Sequence, residues 1–75
     1  MTDLQLEDVK KTIRGAFKNQ FGFAPKADTI VLLEGSYDHE HEDRCTWFEL
    51  TFSVAGKSWY HSTRTGELKR VEWAD

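Results

Sequence analysis

The side chains with the greatest capacity for chemistry are concentrated in residues 38–45, which read Asp-His-Glu-His-Glu-Asp-Arg-Cys. An extended backbone would place successive side chains on alternate faces. One face would then carry potential metal ligands, the side chains of His39, His41, Asp43 and Cys45. The opposite face would carry three carboxylates, those of Asp38, Glu40 and Glu42. Such a segment could chelate a metal, present negative charge to a basic partner, or remain a solvated loop.

A metal site is the first interpretation of this segment. Imidazole and thiolate groups are preferred zinc ligands, and carboxylates can complete the coordination shell. The pattern therefore predicts His39, His41 and Cys45 as candidate ligands and zinc as the candidate metal. One strand cannot surround a cation tetrahedrally, so His61 or a second chain would have to supply a further ligand. No other cofactor is predicted, because the five glycines occur singly and form no phosphate-binding loop.

Recognition of a basic protein surface is the second interpretation. Residues 28–49 carry seven acidic groups and one Arg, a net charge of −6 in a chain whose total is −3. Concentrated charge accelerates encounter with a surface of opposite sign. We therefore expect a larger protein with a basic surface as the partner, steered by Asp38, Glu40, Glu42 and Asp43. Direct nucleic-acid binding is not expected, because no basic stripe is present to follow a phosphate backbone.

Catalysis has little support in the sequence. Cys45 lies in no recognisable nucleophile signature, and a free Cys commonly serves as a small buried hydrophobe. Ser58, His61 and Ser62 follow one another too closely on one predicted strand to form a triad without a third group. We predict that the protein is not an enzyme.

The first third of the chain predicts one amphipathic helix over residues 2–21. Apolar side chains recur at spacings of three and four, which places them on one helical face: Leu6, Val9, Ile13, Ala16, Phe17 and Phe21. Thr2 and Gln5 have the spacing of a capping box. Gly22 predicts the end of the helix, and Pro25 prevents its continuation.

The remaining residues alternate strand and turn signals. Strands are predicted over residues 29–34, 46–54, 58–63 and 68–73, with a tight hairpin turn at 55–57 and a second turn at 65–66. The predicted fold is therefore α+β, a single domain over residues 1–75. One N-terminal helix packs on a four-stranded antiparallel meander over residues 29–73, in the order α-β-β-β-β. The register of the hairpin around Gly56 is left open, so either Trp59 or Tyr60 faces the helix.

The aromatic residues exceed what one face of so small a sheet can bury. The residues expected against the helix are Phe48, Leu50, Phe52 and Val54. Trp47 is out of phase with this alternating set, so it would point to the opposite face of the sheet. Aromatic side chains are enriched in binding interfaces. We therefore expect a partner-binding patch whose anchors are Trp47, Trp59, Tyr60 and Trp73. The alternative is that these rings pack over the exposed side of the sheet or under the linker at residues 22–28.

The C-terminal half of the chain, residues 47–73, resembles the PepSY-type domain. Residues 59–68 read Trp-Tyr-His-Ser-Thr-Arg-Thr-Gly-Glu-Leu, an aromatic-containing strand that enters a Thr-Gly-Glu turn and a short last strand. That family also places a helix before an antiparallel meander. The resemblance implies a non-catalytic, inhibitory or ligand-binding module of a family often linked to extracytoplasmic peptidases. The family usually has an Asp shortly before the Thr-Gly pair, where this chain has Ser62 or Thr63.

Composition narrows the class of protein. One Cys excludes an internal disulfide, and no apolar stretch is long enough for a signal peptide or a membrane span, which predicts a cytoplasmic protein. The predicted function is a small protein-binding module, an inhibitor or adaptor of phage or mobile-element type. It would dock through the aromatic patch and the acidic segment. The alternatives are a metal-responsive protein and a structural homodimer whose own copy covers the second face of the sheet.

Overall fold

A computed structural model describes residues 1–72 of the chain. Helix α1 (Asp3–Phe21) is followed by a 3₁₀ turn (Ala27–Thr29) and four strands: β1 (Ile30–Tyr37), β2 (Phe48–Val54), β3 (Lys57–Ser62) and β4 (Leu68–Arg70). Each strand pairs antiparallel with the next, in the order β1-β2-β3-β4. The predicted α+β fold with its antiparallel meander is confirmed. The predicted anchor Trp73 lies outside the described residues.

Local sequence signals determine both ends of α1. Thr2 is the N-cap: its hydroxyl accepts the Gln5 N–H at 3.2 Å, and the Gln5 side chain accepts the Thr2 N–H at 3.0 Å. The predicted capping box is thus confirmed. The helix begins one residue later than predicted because the N-cap itself has extended backbone angles. Gly22 ends the helix in the left-handed region at φ 85° and donates its N–H to the Lys18 carbonyl.

The core lies between α1 and one face of the sheet. Val9, Ile13 and Phe17 are buried from the helix side, and the sheet supplies Ile30, Phe48, Leu50, Phe52 and Leu68. The Phe17 ring meets Phe52 edge-on at 6.2 Å. Two predicted core residues are placed differently. Leu6 is only half-buried, and Phe21, the last helical residue, is 46% exposed because it lies at the rim of the covered face.

The β2–β3 hairpin sets the register that the sequence left open. Phe52 pairs with Trp59 and Thr51 with Tyr60, so Trp59 faces α1 and Tyr60 faces away from it. The Trp59 ring contacts the Phe17 ring edge-on, with centroids 4.8 Å apart. The turn consists of Ala55 and Gly56, at φ 52° and 82°, as a two-residue hairpin turn of the primed type requires. Lys57, which was predicted within the turn, is the first residue of β3.

Strand β1 differs most from the prediction. It continues through Tyr37, three residues beyond the predicted end. Its register shifts between Leu32 and Gly35, where two residues lie opposite Thr51 alone. This bulge moves odd-numbered residues onto the face that even-numbered ones occupied before it. Ile30, Leu32 and Tyr37 can therefore all face α1, which strict alternation would not allow.

The other strand boundaries shift by one to three residues. β2 begins at Phe48 and not at Thr46, and β3 ends at Ser62. β4 ends at Arg70, and Val71 donates its N–H to the Ser58 carbonyl just beyond it. In the part of the chain that the structure describes, no helix is both long and apolar enough to cross a membrane.

The bulge predicts a strict requirement for glycine at residue 35. Its φ is 151°, and an added Cβ would overlap the Glu49 carbonyl oxygen and lie 2.8 Å from the Leu50 Cα. We expect Gly35→Ala to destabilise the protein by at least about 2 kcal/mol, because backbone cannot give way as a flexible side chain could. Chemical denaturation followed by circular dichroism measures the free energy of unfolding.

Gly15→Ala is the matched control for this substitution. Gly15 lies inside α1, and nothing is within 4 Å of a Cβ built there. Alanine should stabilise the helix by about 0.5–1 kcal/mol. If Gly35→Ala changes the free energy of unfolding by no more than the experimental error, the bulge described at this position would be contradicted.

Candidate functional site

The segment between β1 and β2, residues 38–47, is a bent loop and not an extended strand. Bends occur at Glu40, at Glu42 and Asp43, and at Thr46. The prediction that His39, His41, Asp43 and Cys45 share one face is therefore wrong, since it depended on strand-like alternation. We call residues 38–47 the β1–β2 loop.

The Asp38 carboxylate organises this loop from inside. The side chain is buried, at 4% relative exposure, where the charge pattern had predicted a solvent-facing steering residue. One carboxylate oxygen accepts the Glu40 N–H at 2.9 Å. The other accepts His41 Nδ1 at 2.8 Å, together with the hydroxyl and the backbone N–H of Thr46. Asp38 thus acts as a structural acceptor that closes the loop.

These donors explain the electrostatics of Asp38. Hydrogen bonds from Thr46, Glu40 and His41, in that order of importance, hold the pKa of the Asp38 carboxyl well below its usual range. The carboxylate is the form that can accept all of them, so it stays ionised at neutral pH. His41 bonds Asp38 through Nδ1, which fixes that nitrogen as the proton-bearing one.

The first turns of α1 hold the loop from the other side. The Gln5 side-chain amide donates to the carbonyls of Asp38 and His41. The Thr2 hydroxyl donates to the Glu42 carbonyl at 2.6 Å. Cys45 donates its backbone N–H to the Asp8 carboxylate at 3.0 Å. The loop therefore docks on the N-terminal end of the helix.

This docking collects acidic side chains from two distant parts of the sequence. We call the resulting surface the acidic end: Asp3, Glu7 and Asp8 of α1 with Glu40, Glu42 and Asp43 of the loop. This surface is not evident in the sequence, because its two groups of carboxylates are about 30 residues apart in the chain. Hydrogen bonds from Thr2, Gln5 and Cys45 bring the two groups together.

The structure does not bring the predicted metal ligands together. The His39 ring stacks on Tyr37, with centroids 4.2 Å apart, and His41 is bonded to Asp38. Within residues 1–72, no three His, Cys, Asp or Glu side chains form a group that could hold a metal ion. Zinc binding stays a prediction, without an assembled ligand set to support it.

Two further residues with reactive side chains, Cys45 and His61, form hydrogen bonds within the fold. The Cys45 thiol donates to the Trp47 carbonyl at 3.0 Å, and burial raises its pKa, so it is a poor nucleophile. His61 is buried on the helix side of the sheet, with Nδ1 at 2.6 Å from the Glu67 carbonyl. Its ring meets Phe48 edge-on, with centroids 5.5 Å apart, and it lies apart from the loop.

The sheet face that points away from α1 is the second part of the site. We call it the outer face, and no helix of the described residues covers it. Register places Tyr60 on this face, and Trp47, just before Phe48, points the same way. Val31 and Leu33 of β1 are 55% and 50% exposed. The predicted anchor Trp59 belongs to the opposite face, against α1.

Cations accompany both rings of the outer face. The Arg64 guanidinium lies 4.2 Å from the Trp47 ring centroid, and the Lys69 ammonium lies 5.4 Å from that of Tyr60. Arg64 also pairs with Glu49 at 3.8 Å. Exposed contacts of this kind are weak, so a partner could displace the cations at little energetic cost.

A shallow depression lies beside Tyr60 on the outer face. Its lining contains two carboxylates and small or hydroxyl-bearing residues: Glu34, Gly35, Ser36, Glu49, Thr51 and Tyr60. The bulge of β1 places Glu34 on the outer face beside this depression, and Gly35 contributes to its lining. A depression lined by an aromatic ring and two carboxylates is suited to a cationic side chain.

Comparison of the chain with protein-family models, with curated proteins and with solved structures finds no match in any of the three. The assignment of a candidate functional site is therefore based on the geometry of the chain alone.

The Asp38 contacts predict a specific dependence of stability on pH. Asp38→Asn should lower the melting temperature near neutral pH, because an amide cannot accept the same charge-assisted hydrogen bonds. The pKa of Asp38 is lower in the folded chain than the ordinary 3.8. The contribution of the ionised Asp38 to the free energy of unfolding is therefore complete above pH 3.8 and declines as the pH falls below that value. The difference in melting temperature between wild type and variant should narrow toward about pH 2.

Glu40→Gln is the control, since it neutralises an exposed carboxylate in the same loop. It should change the melting temperature little at any pH. Equal effects of the two substitutions in thermal unfolding experiments would contradict the structural role of Asp38.

Proposed function

We propose that the protein is a non-enzymatic binding module that docks on a basic surface of a larger protein through its outer face and β1–β2 loop. The observation that carries this proposal is the composition of the outer face. It combines Trp47, Tyr60 and exposed aliphatic side chains with carboxylates, and no helix of the described residues covers it.

Trp47 and Tyr60 are the proposed anchors. Both are half-buried, and both are held on strand or strand-end positions by backbone pairing. Rings fixed in this way lose little further freedom on binding, and aromatic side chains dominate the energetics of many interfaces. Val31 and Leu33 extend the apolar area along β1.

The depression beside Tyr60 gives the proposal its chemical specificity. A Lys or Arg of the partner would place its charge between Glu34 and Glu49, with the Tyr60 ring beneath its alkyl stem. Glu49 would exchange its exposed pairing with Arg64 for this contact. A neutral or acidic partner surface would leave both carboxylates desolvated without compensation.

The β1–β2 loop provides a charged rim next to the anchor Trp47. Glu40, Glu42 and Asp43 are exposed, and the buried Asp38 holds the loop that carries them in one conformation. Their charge would accelerate association at low ionic strength more than it raises affinity. Binding should therefore weaken as salt is added.

An inhibitory or adaptor role fits this kind of contact. Basic surfaces on larger proteins commonly bind phosphate backbones, and an acidic module that occupies one would exclude them. A phage-derived or mobile-element inhibitor would use such a surface. Inhibition is also what the resemblance to PepSY-type domains implies.

Affinity capture with matched variants tests the proposal. Purified wild type, Trp47→Ala/Tyr60→Ala and Lys11→Ala are used to capture proteins from host lysate, at low and high salt, with and without chelator. Lys11 is exposed on α1, away from the outer face, and serves as the control. We expect a stoichiometric partner with wild type and control, a strong loss with the double variant, and weaker capture at high salt.

Capture that the double variant retains would contradict the use of the outer face. Loss of the partner on chelation would instead favour a metal site at His39, His41 and Cys45. Circular dichroism of each variant confirms that reduced capture does not come from unfolding.

A further inference from the structure

A second exposed apolar surface lies at the C-terminal end of α1. Phe21 and Phe23 are 46% and 57% exposed, and their ring centroids lie 6.3 Å apart. Each also packs on the buried Phe17, at 5.7 and 6.0 Å. The Trp59 ring lies 5.7 Å from Phe21 and continues the surface onto the sheet. We call Phe21, Phe23 and Trp59 the aromatic end.

Basic side chains surround the aromatic end. The Arg70 guanidinium lies 5.7 Å from the Trp59 ring centroid. Lys57 precedes Trp59 by two residues in β3, so both are on the helix side of the sheet. Lys18 in the last turn of α1 and Lys26 beyond it are also exposed. A partner for this surface must therefore combine apolar side chains with carboxylates.

The opposite end of α1 has that composition. Leu4 is 56% exposed and lies in the first helical turn between Asp3 and Glu7. Met1, next to the N-cap Thr2, is 44% exposed. The β1–β2 loop adds Glu42, whose carbonyl is bonded to the Thr2 hydroxyl. Exposed apolar side chains and carboxylates thus lie together at the acidic end.

The two ends are separated by the length of the molecule. A helix of 19 residues is roughly 28 Å long, and the longest dimension of the molecule is 30 Å. The two surfaces therefore lie at opposite ends of α1 and cannot meet within one chain. They can meet between two copies.

We propose that copies of this chain associate head to tail, with the aromatic end of one copy on the acidic end of the next. Leu4 and Met1 pack against Phe21 and Phe23 in this arrangement. Asp3 and Glu7 face Lys57 and Arg70. The proposal does not use the outer face, but the acidic end includes Glu40, Glu42 and Asp43, which also form the charged rim of the proposed docking surface.

Charge decides between this arrangement and its symmetric alternative. Two aromatic ends placed face to face would bring their cations together, whereas the head-to-tail contact pairs opposite charges. A head-to-tail contact leaves one free surface at each end of every assembly, so growth is open-ended. The average mass should rise with protein concentration and fall with added salt.

Complementary charge-reversal variants give the test. Lys57→Glu/Arg70→Glu alters only the aromatic end, and Asp3→Lys/Glu7→Lys alters only the acidic end. Each variant alone should remain at the monomer mass of 8.7 kDa in sedimentation experiments at low salt. An equimolar mixture should regain association that grows with concentration, because the two intact surfaces pair with each other and the two reversed surfaces again carry opposite charges.

Two further double variants distinguish loss of the head-to-tail contact from unfolding and from association through the outer face. Phe21→Ser/Phe23→Ser changes exposed rings and should abolish association in a folded protein, as judged by circular dichroism. Trp47→Ala/Tyr60→Ala should leave association unchanged.

Four outcomes would overturn the proposal. Wild type could remain monomeric at every concentration tested at low salt, or form a closed dimer that does not grow. Alternatively, the mixture of charge-reversal variants could fail to associate. Loss of association in the Trp47→Ala/Tyr60→Ala variant would assign self-association to the outer face instead.

Discussion

The β1–β2 loop depends on the buried carboxylate of Asp38, which receives hydrogen bonds from Glu40, His41 and Thr46. The carbonyl of the same residue accepts the amide of Gln5, so a single position joins the loop to the start of α1. A ten-residue charged segment without such an acceptor would gain little from adopting one conformation. Asp38 therefore holds a run of like charges in one ordered conformation that exposes an acidic surface. The Asp38 carboxylate itself is buried and cannot contact a partner.

The small size of the domain imposes a second constraint. A chain of 75 residues with one long helix buries one face of its sheet and leaves the other without a cover in the described residues. Phe48, Leu50 and Phe52 fill the covered face, so the alternate positions of β2 and β3 face outward. The outer face carries Tyr60 and Trp47 where an isolated domain would carry only polar residues. That departure from simple patterning is the physical basis for assigning a binding role to this surface.

The fold was predictable because its signals are local. The capping box, the Gly22 end and the spacing of Val9, Ile13 and Phe17 lie within a few residues of one another, and so does the hairpin at Gly56. The candidate site was less predictable, because its determinants are distant in sequence. The bulge at Gly35 reflects pairing with Glu49 and Leu50, and the acidic end requires Asp8 to meet Cys45. Alternation failed over residues 38–45 because the Asp38 carboxylate competes for backbone N–H groups that a strand would have paired.

The central claim is that the outer face binds the partner while the helix side does not. Titration of isotope-labelled protein with the captured partner, followed by backbone and indole NMR signals, tests this claim directly. We expect shifts at the Trp47 indole, at Tyr60 and along β1 from Val31 to Ser36, with the Trp59 indole and the middle of α1 unchanged. Shifts confined to α1 and Trp59, with Trp47 and Tyr60 unaffected, would contradict it.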